Sequence, residues 1–344
     1  MNSPQRHGVP QNLHREDECC SLCKLCVLCV SVVNRLFHIH ILENSRGFSL
    51  TRRTIFALAL CLLNILSVSA LAQQKDQKGS AANSTMTQPV LKRTTTSHIS
   101  RRFAYGGTVS IIGAPAGAII IEAWPRSEVD ITAEIELHAS TDEEFARLAA
   151  VNTFVLDEDI NHLRIITMGM HDKAFMRRAA KDFPKTLLGL PWKIDYRIRL
   201  PAITDLEIDA GRGPIQIAGV EGALRLNALE SNATLTLTGG TVIATIGGGI
   251  VNINLTTRSW RGSGAEIRLA AGELNIQVPA GFNADINASV LRSGRIESDV
   301  ESLTPREPGG ITPRSIRARA GAGGASFSFT VGDGTLRIKQ EGKQ

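Results

Sequence analysis

The amino-acid sequence predicts an all-β protein, a β-solenoid or β-helix-like repeat of short strands with one interrupting helix near residues 141–151. Three observations predict this class. From Leu206 onward the chain divides into consecutive blocks of nine residues. Within a block, apolar and polar residues alternate over five positions, as in a strand with one buried face. Glycine recurs near the end of most blocks, where a turn needs permissive backbone angles.

The first part of the chain holds a cysteine cluster at C-x-x-C spacing between residues 20 and 29, a spacing used by zinc and iron–sulfur sites. Residues 46–72, however, have arginines, an apolar run and a small-x-small cleavage pattern, which are typical of a secretory signal peptide. A signal peptide stands at an amino terminus. We therefore predict that residues 1–45 are an upstream extension from a start site assigned too early.

The predicted cut after Ala72 removes all six cysteines, so we expect no metal site and no cofactor in the exported product. The apolar run is too short to span a bilayer, and no stable membrane span is expected in the mature chain. After the cut there remain 31 Lys+Arg and 29 Asp+Glu, and this balance argues against a nucleic-acid partner. Residues 73–97 have few large apolar side chains and are predicted to form a disordered linker.

Residues 98–195 are predicted to form an amino-terminal β region with one helix. Residues 107–124, 128–139 and 162–170 are strand-like, whereas the period changes at "STDEEFARLAAVNTFV". A capping box of Ser140 and Glu143 would begin the helix there. Its apolar side would contain Phe145, Leu148 and Ala149. Residues 171–190 would add a short helix and a loop, with one side formed by Phe175, Ala179 and Phe183.

Residues 196–344 are predicted to form the β-solenoid repeat region. The inward columns would stack on one another, because a single short strand cannot bury its apolar face alone. Two or three strands per coil fit the nine-residue period, and an antiparallel meander competes with the solenoid. The first, third and fifth positions of the blocks supply the inward residues, among them Leu206, Ile208, Ile215, Ile217, Leu224, Leu226, Ala233, Leu235, Val242, Ala244, Val251 and Ile253.

These pieces resemble the DUF4097 family, whose members are described as adhesins. The resemblance spans about residues 98–340 and includes Ile119-Ile120-Ile121, the helix near Phe145 and "YRIRLPAITDLEIDAG". It also includes four units of G-x-[IL]-x form, which begin at Gly213, Gly272, Gly294 and Gly334. The frequent Asn-Gly-Asp form of such units is missing from this sequence. The resemblance implies a β-helical protein of the cell envelope, or a secreted one, without established catalytic residues.

Other residues were weighed as sites, and no catalytic, cofactor-binding or metal residue is predicted. The glycines of "TGGTVIATIGGGI" lack the aspartates of calcium-binding repeats and the Lys-Ser/Thr of a phosphate loop. Met168, Met170, His171 and His162 could bind copper, but alternating methionines favour a core role. The basic groups are interpreted as solvated surface; they are the run "KRTTTSHISRR" together with Arg314, Arg317 and Arg319.

We therefore predict an exported, non-enzymatic bacterial protein of the periplasm, cell envelope or extracellular space, acting as an adhesin or envelope scaffold. Its expected partner is a cell-surface polymer, glycan or envelope protein, and uncapped terminal coils would allow oligomers. One alternative is a carbohydrate-active β-helix enzyme that uses carboxylates near Trp260, a residue that could stack on a sugar. Another is an envelope-stress regulatory component. The carboxylates of the repeat are Glu207, Asp209, Glu221, Glu230, Glu266 and Glu273.

Overall fold

The computed structural model describes residues 91–300 and 303–342. Strands dominate this part of the chain, so the all-β prediction is confirmed. The strands are β1 (Leu91–Arg102), β2 (Thr108–Ala116), β3 (Ile119–Trp124), β4 (Glu128–Ala139), β5 (Thr153–Glu158), β6 (His162–Met168), β7 (Trp192–Pro201), β8 (Asp205–Arg212), β9 (Ile215–Ala218), β10 (Ala223–Glu230), β11 (Ala233–Leu237), β12 (Thr241–Leu255), β13 (Gly264–Val278), β14 (Ala284–Ser298), β15 (Leu303–Pro305), β16 (Ile311–Thr312), β17 (Ser315–Ala320) and β18 (Ser326–Gln340).

The repeat strands pair in parallel with partners two blocks away. Leu206 of β8 pairs with Leu224 of β10, which pairs with Val242 of β12, so successive partners are eighteen residues apart. Ala233 of β11 is likewise flanked by Ile215 of β9 and Val251 of β12. Consecutive blocks therefore alternate between two parallel ladders. This pairing rules out the antiparallel meander for the repeat strands β8–β12.

The two ladders share their long strands. The first ladder runs in the order β6, β2, β8, β10, β12, β13, β18 and β14, and the second runs β7, β3, β9, β11, β12, β13, β18 and β14. Strands β12, β13, β14 and β18 each contain fifteen residues and take part in both ladders. Strands that the sequence assigned to separate regions, 98–195 and 196–344, thus lie in the same sheet, and residues 195 and 196 fall inside β7.

The apolar columns of the repeat form the core. Ile217 is 1% exposed, and both Leu226 and Leu235 are fully buried. The inward direction predicted for these residues is therefore confirmed. Stacking equivalent positions from strand to strand removes each short strand's apolar face from water, which contributes roughly 25 cal/mol for every Å² buried.

Glycine permits the close approach of adjacent strands at the bend between the ladders. Gly334 of β18 has φ +139°, and a Cβ built there would lie 1.8 Å from the carbonyl oxygen of Gly272 in the neighbouring strand β13. Gly272 itself has φ +132°. A side chain at either position would be strained and would push the strands apart. The G-x-[IL]-x units at Gly272, Gly294 and Gly334 thus mark the corner at which long strands change ladder, and the unit at Gly213 marks the turn between β8 and β9.

Antiparallel strands flank the parallel stack at both ends. Strand β5 pairs with β6 at one end of the first ladder, while β4 pairs with β7 at the same end of the second. At the other end, β17 pairs with β14. Strand β1 pairs with β4 and carries exposed lysine, arginine and threonine side chains. Charged side chains on an outer strand discourage the addition of a further strand.

Helix α1 (Asp142–Val151) confirms the predicted interrupting helix. Its capping box lies one residue later than predicted, because Thr141 accepts a hydrogen bond from the Glu144 amide and Glu144 accepts one from the Thr141 amide. The buried side contains Phe145, Leu148 and Val151, whereas Ala149 is exposed.

A second helix, α2 (Lys173–Ala179), forms in the segment predicted as a short helix and loop. Phe175 and Phe183 of that segment are half-buried.

The amino-terminal predictions fall largely outside the described residues. These are the upstream extension 1–45, the signal peptide 46–72 and residues 73–90 of the linker. The end of the predicted linker is corrected, because β1 begins at Leu91 and its pairing with β4 covers residues 91–97. Within residues 91–300 and 303–342, neither helix has the length and apolar character needed to cross a bilayer.

Candidate functional site

The outward side of the second ladder carries two rows of amide and hydroxyl side chains. In one row, Thr234 pairs across to Asn252, and Asn252 pairs across to Asn275. Because the strands are in register, these side chains follow one another at the strand spacing of about 4.8 Å. We call this surface the amide face and define it by Gln216, Thr234, Thr236, Asn252, Asn254, Asn275 and Gln277.

The amide face lines a groove of about 470 Å³ over β11, β12, β13 and β18. Asn275 donates from Nδ2 to Oδ1 of Asn252 at 3.1 Å, which orients both amides along the row. Each amide has two donor hydrogens and an oxygen with two acceptor sites, so this bond leaves hydrogen-bonding capacity toward solvent. The groove can therefore bind hydroxyl groups without a charged contact.

Strand β18 brings two cations to the groove, Arg337 and Lys339. Arg337 donates from Nη1 to Glu273 at 2.7 Å and from Nε to Glu297 at 2.9 Å. The hydrogen bonds that Arg337 donates to Glu297 and then to Glu273 raise the pKa of Arg337, so its guanidinium stays charged. Lys339 is exposed, and no carboxylate in the described part of the chain lies within ion-pair distance of it.

A second groove, of about 260 Å³, lies farther along the same side of the sheet, where β3, β4 and β7 meet. The buried Asp130 carboxylate lies 2.5 Å from His98 Nε2 and forms an ion pair with Arg199. Burial alone would raise the pKa of Asp130, but the contacts with Arg199 and His98 outweigh it and hold the pKa below its usual value. Arg199 also stacks over the Trp124 ring at 4.6 Å. This groove is a compensated ionic cluster.

The outward side of the first ladder is charged, and we define this charged face by Glu207, Asp209, Arg225, Glu266 and Arg268. Most of the carboxylates named from the sequence have a polar partner. Asp209 accepts from Asn227 at 2.9 Å, and Glu266 pairs with Arg268. Away from this face, the pairs are Glu221 with Arg261, Glu230 with Arg212 and Glu273 with Arg337. Glycoside hydrolysis needs two carboxylates that face each other across a cleft. The contacts of these six carboxylates hold them apart and do not bring two of them together in this way.

Trp260 is not available to stack on a sugar. Only 9% of the residue is exposed, its indole nitrogen donates to the carbonyl of Gly240 at 2.9 Å, and its ring meets Phe327 edge-on at 5.2 Å. Of the two interpretations of Trp260, stacking on a sugar and packing, the structure supports packing, because the ring lies in the core.

Three groups near the amino-terminal end of the first ladder share the composition of a catalytic triad. Ser110 Oγ lies 2.7 Å from Nε2 of His162 and donates to Glu207 at 3.2 Å. In a triad the acid orients the histidine, whereas Glu207 here contacts the serine. Ser110 is also only 1% exposed. The arrangement acts as a hydrogen-bonded tie between β2, β6 and β8.

The residues considered for copper are dispersed. His162 and Met168 occupy opposite ends of β6, roughly 20 Å apart at the rise of an extended strand. Met170 packs against the small apolar cluster beside α1, and the His171 ring lies against Trp192 at 5.5 Å. Burial lowers the pKa of His171.

Several of the basic groups singled out from the sequence are held by acidic partners. Arg317 contacts Glu307 at 2.9 Å, and Arg319 contacts Asp285 at 3.0 Å. Arg314 donates to the backbone carbonyl of Leu291. On β1, three ion pairs form, namely Lys92 with Glu136, Arg93 with Asp142 and Arg101 with Glu158.

Comparison with solved structures gives several resemblances, two of which are described below. No protein-family model and no curated protein matches the chain, so the predicted membership of DUF4097 stays a prediction. A proposed cell adhesion protein from Clostridium sporogenes has 12% identity and a TM-score of 0.34, with 73% of this chain and 100% of that chain covered. A proposed adhesin from Bacteroides fragilis has 12% identity and a TM-score of 0.26, with 72% and 97% covered. At these TM-scores neither resemblance supports an inference about function.

The amide face was not predicted as a site, although the sequence contains its signal. The outward positions of alternate blocks differ in chemistry. "LEIDAGRGP" and "LRLNALESN" place charges there, whereas "ATLTLTGGT" and "VNINLTTRS" place only threonine and asparagine. Sorting the blocks into odd and even sets places both charged blocks in the odd set, although the odd block "VIATIGGGI" carries no charge, and would have indicated pairing between blocks eighteen residues apart.

Proposed function

We propose that this chain is an exported, non-enzymatic β-solenoid protein with two strands per coil, and that its amide face binds a hydroxylated polymer of the cell surface. In this role it would act as an adhesin or an envelope scaffold. The observation that carries the proposal is the register of amide and hydroxyl side chains across consecutive strands, from Gln216 to Gln277.

The repeating geometry favours a repeating ligand. Each hydrogen bond to a sugar hydroxyl contributes only about 1 kcal/mol, because water offers the same bond. A row of identical groups at a fixed spacing adds several such bonds to one extended chain, and a polymer can rebind at neighbouring strands. A small single molecule would use only a fraction of the rows.

A binding role also agrees with the chemistry of the other groups. The carboxylates of the repeat are dispersed among separate polar partners, and Trp260 is packed in the core. Ser110 is buried, and Glu207 contacts this serine, whereas in a triad the acid would contact the histidine. Acid–base catalysis would instead need groups of shifted pKa that converge on one substrate position.

A glycan array with the full chain tests this proposal. The double variant Asn252→Ala/Asn275→Ala should lose binding by about thirtyfold, since two hydrogen-bonding groups of about 1 kcal/mol each are removed. Arg225→Gln, an exposed change on the charged face, is the matched control and should bind as the wild type does. Unchanged binding by the double variant would contradict the assignment of the face, and release of cleaved glycan would establish an enzyme instead.

A further inference from the structure

We propose that the groove over β12, β13 and β18 selects an acidic glycan, one carrying a carboxylate or a sulfate group, and that Lys339 is the residue that recognises the acidic group. This inference rests on the proposed function, because it uses the amide face as the binding surface. It adds the chemical class of the ligand and the residue that determines it.

The lining of the groove sets its charge. Arg337 and Lys339 are both in the lining, together with five amide side chains and one threonine, and no carboxylate of the described residues lines it. Arg337 already shares its charge with Glu273 and Glu297, which hold its side chain in place. Lys339 is exposed and meets no acidic group within 4.0 Å in the described residues. Glu297 also pairs with Arg295, so two cations balance the two carboxylates, and Lys339 adds one uncompensated positive charge among the described residues.

The register places this charge at the end of an amide row. Lys339 pairs across to Gln277, and Gln277 pairs across to Asn254. All three residues belong to one row on the outward side of the sheet. A sugar ring with its hydroxyls on Asn254 and Gln277 would place its next substituent about one strand spacing away, at Lys339. An acidic substituent there would gain a charge-assisted hydrogen bond, which a neutral hydroxyl would not.

The lining also argues for a glycan over the other common anionic polymers. Sequence-tolerant binding of single-stranded nucleic acid uses aromatic side chains on which bases stack, and no aromatic residue lines this groove. Protein partners are usually anchored by buried aromatic or arginine side chains in a desolvated pocket. Amides beside a single free ammonium suit a ligand made of hydroxyls and scattered acidic groups.

Titration calorimetry with two oligosaccharides of equal length, oligogalacturonate and neutral oligogalactan, tests the inference on the full chain. Wild type should bind the acidic oligomer more tightly, and this preference should shrink as salt rises to 0.15 M, where charges are screened beyond about 8 Å. Lys339→Gln should weaken acidic binding by roughly threefold to fivefold, the value of one exposed ion pair. Lys339→Arg should restore it, and Arg225→Gln should change nothing.

The outcomes separate this inference from the proposed function. Equal binding of both oligomers, with loss in Asn252→Ala/Asn275→Ala, would overturn the acidic preference and leave the binding role standing. A preference that survives in Lys339→Gln would overturn the assignment to Lys339. Binding of neither oligomer at millimolar concentration would overturn the acidic preference. The glycan array would then decide whether the binding role also fails. Circular dichroism of every variant checks that the fold is intact.

Discussion

The charged face and the amide face belong to alternate blocks of one repeat, yet they differ in almost every outward side chain. Glu207 and Arg225 stand at equivalent positions of β8 and β10, and their charged face continues to Glu266 and Arg268. Thr234 and Asn252 stand at equivalent positions of β11 and β12, with no charge in the row until Arg337. The inward columns of the two ladders are alike, with isoleucine, leucine, valine and alanine in both.

This difference shows that the core and the outward faces are under separate constraints. Packing requires only that every inward position be apolar and of suitable volume. The charged face brings opposite charges together, as between Glu266 and Arg268, which favours solubility. The amide face leaves donors and acceptors directed to solvent, where they contribute little to stability. A surface that contributes so little to folding is free to serve binding.

The largest effect is expected from a substitution that disrupts the strands of the charged face and the amide face together. Gly334→Val would place a β-branched side chain at φ +139°, with its Cβ 1.8 Å from the Gly272 carbonyl oxygen. We expect the free energy of unfolding to fall by about 3 kcal/mol or more, and glycan binding to be lost with it. Urea unfolding followed by circular dichroism measures this. Gly189→Ala is the control, because that position has open space and should change stability by less than about 0.5 kcal/mol.

An effect of the same order, confined to one ladder, is expected from emptying the core beneath the amide face. Leu235 lies between Thr234 and Thr236 on β11 and is fully buried. Leu235→Ala should lower the free energy of unfolding by about 2–5 kcal/mol through lost burial and a residual cavity. Leu229→Ala removes the same atoms from a residue that is 70% exposed, so it should change stability by less than about 0.5 kcal/mol. Equal losses in the two variants would contradict the inward and outward assignment.

The smallest effect is a pH dependence on β4, the strand that also carries Asp130 of the second groove. Glu136 lies 2.8 Å from Lys92 and 2.9 Å from His138. The hydrogen bond from Lys92, followed by that from His138, lowers the pKa of Glu136 from 4.5 to about 2. Between these values the unfolded chain binds more protons, so this stabilisation is complete above about pH 4.5 and is lost as the pH falls through about 2.

Unfolding in urea at a series of pH values from neutral to about 2 measures this loss. Glu136→Gln should flatten the curve in the acidic range, and Lys92→Met, which removes the first of the cations, should give an intermediate slope. A wild-type slope in Glu136→Gln would show that other carboxylates dominate acid unfolding.

The parts of the fold that follow from local alternation were predictable from the sequence. The directions of Ile217, Leu226 and Leu235 came from a period of two within each block, and helix α1 came from a change of that period at Phe145. The number of strands per coil could not be chosen from the core, because the inward columns repeat every nine residues in both ladders. Only the outward residues repeat every eighteen, and their chemistry is less regular.

Long-range packing explains the features that sequence reasoning missed. Trp260 stands in a break of the repeat, and its ring partner Phe327 comes from β18, after five intervening strands. No local pattern in the sequence predicts the contact between these two rings. The same holds for Ser110, which meets His162 and Glu207 only because β2 lies between β6 and β8. Local alternation in the sequence predicts that the residues of the amide face point outward. Their position beside one another depends on pairing between distant strands, which the sequence pattern did not reveal.

Strand β18 has a consequence for how the molecule is completed. It pairs in parallel with β13 on one side and with β14 on the other, although β14 to β17 precede it along the chain. In a chain that is made from its amino end, β13 and β14 cannot take their final positions on either side of β18 until β18 has been made. The strands on the two sides of β18 therefore form one sheet only when residues 326–340 are in place.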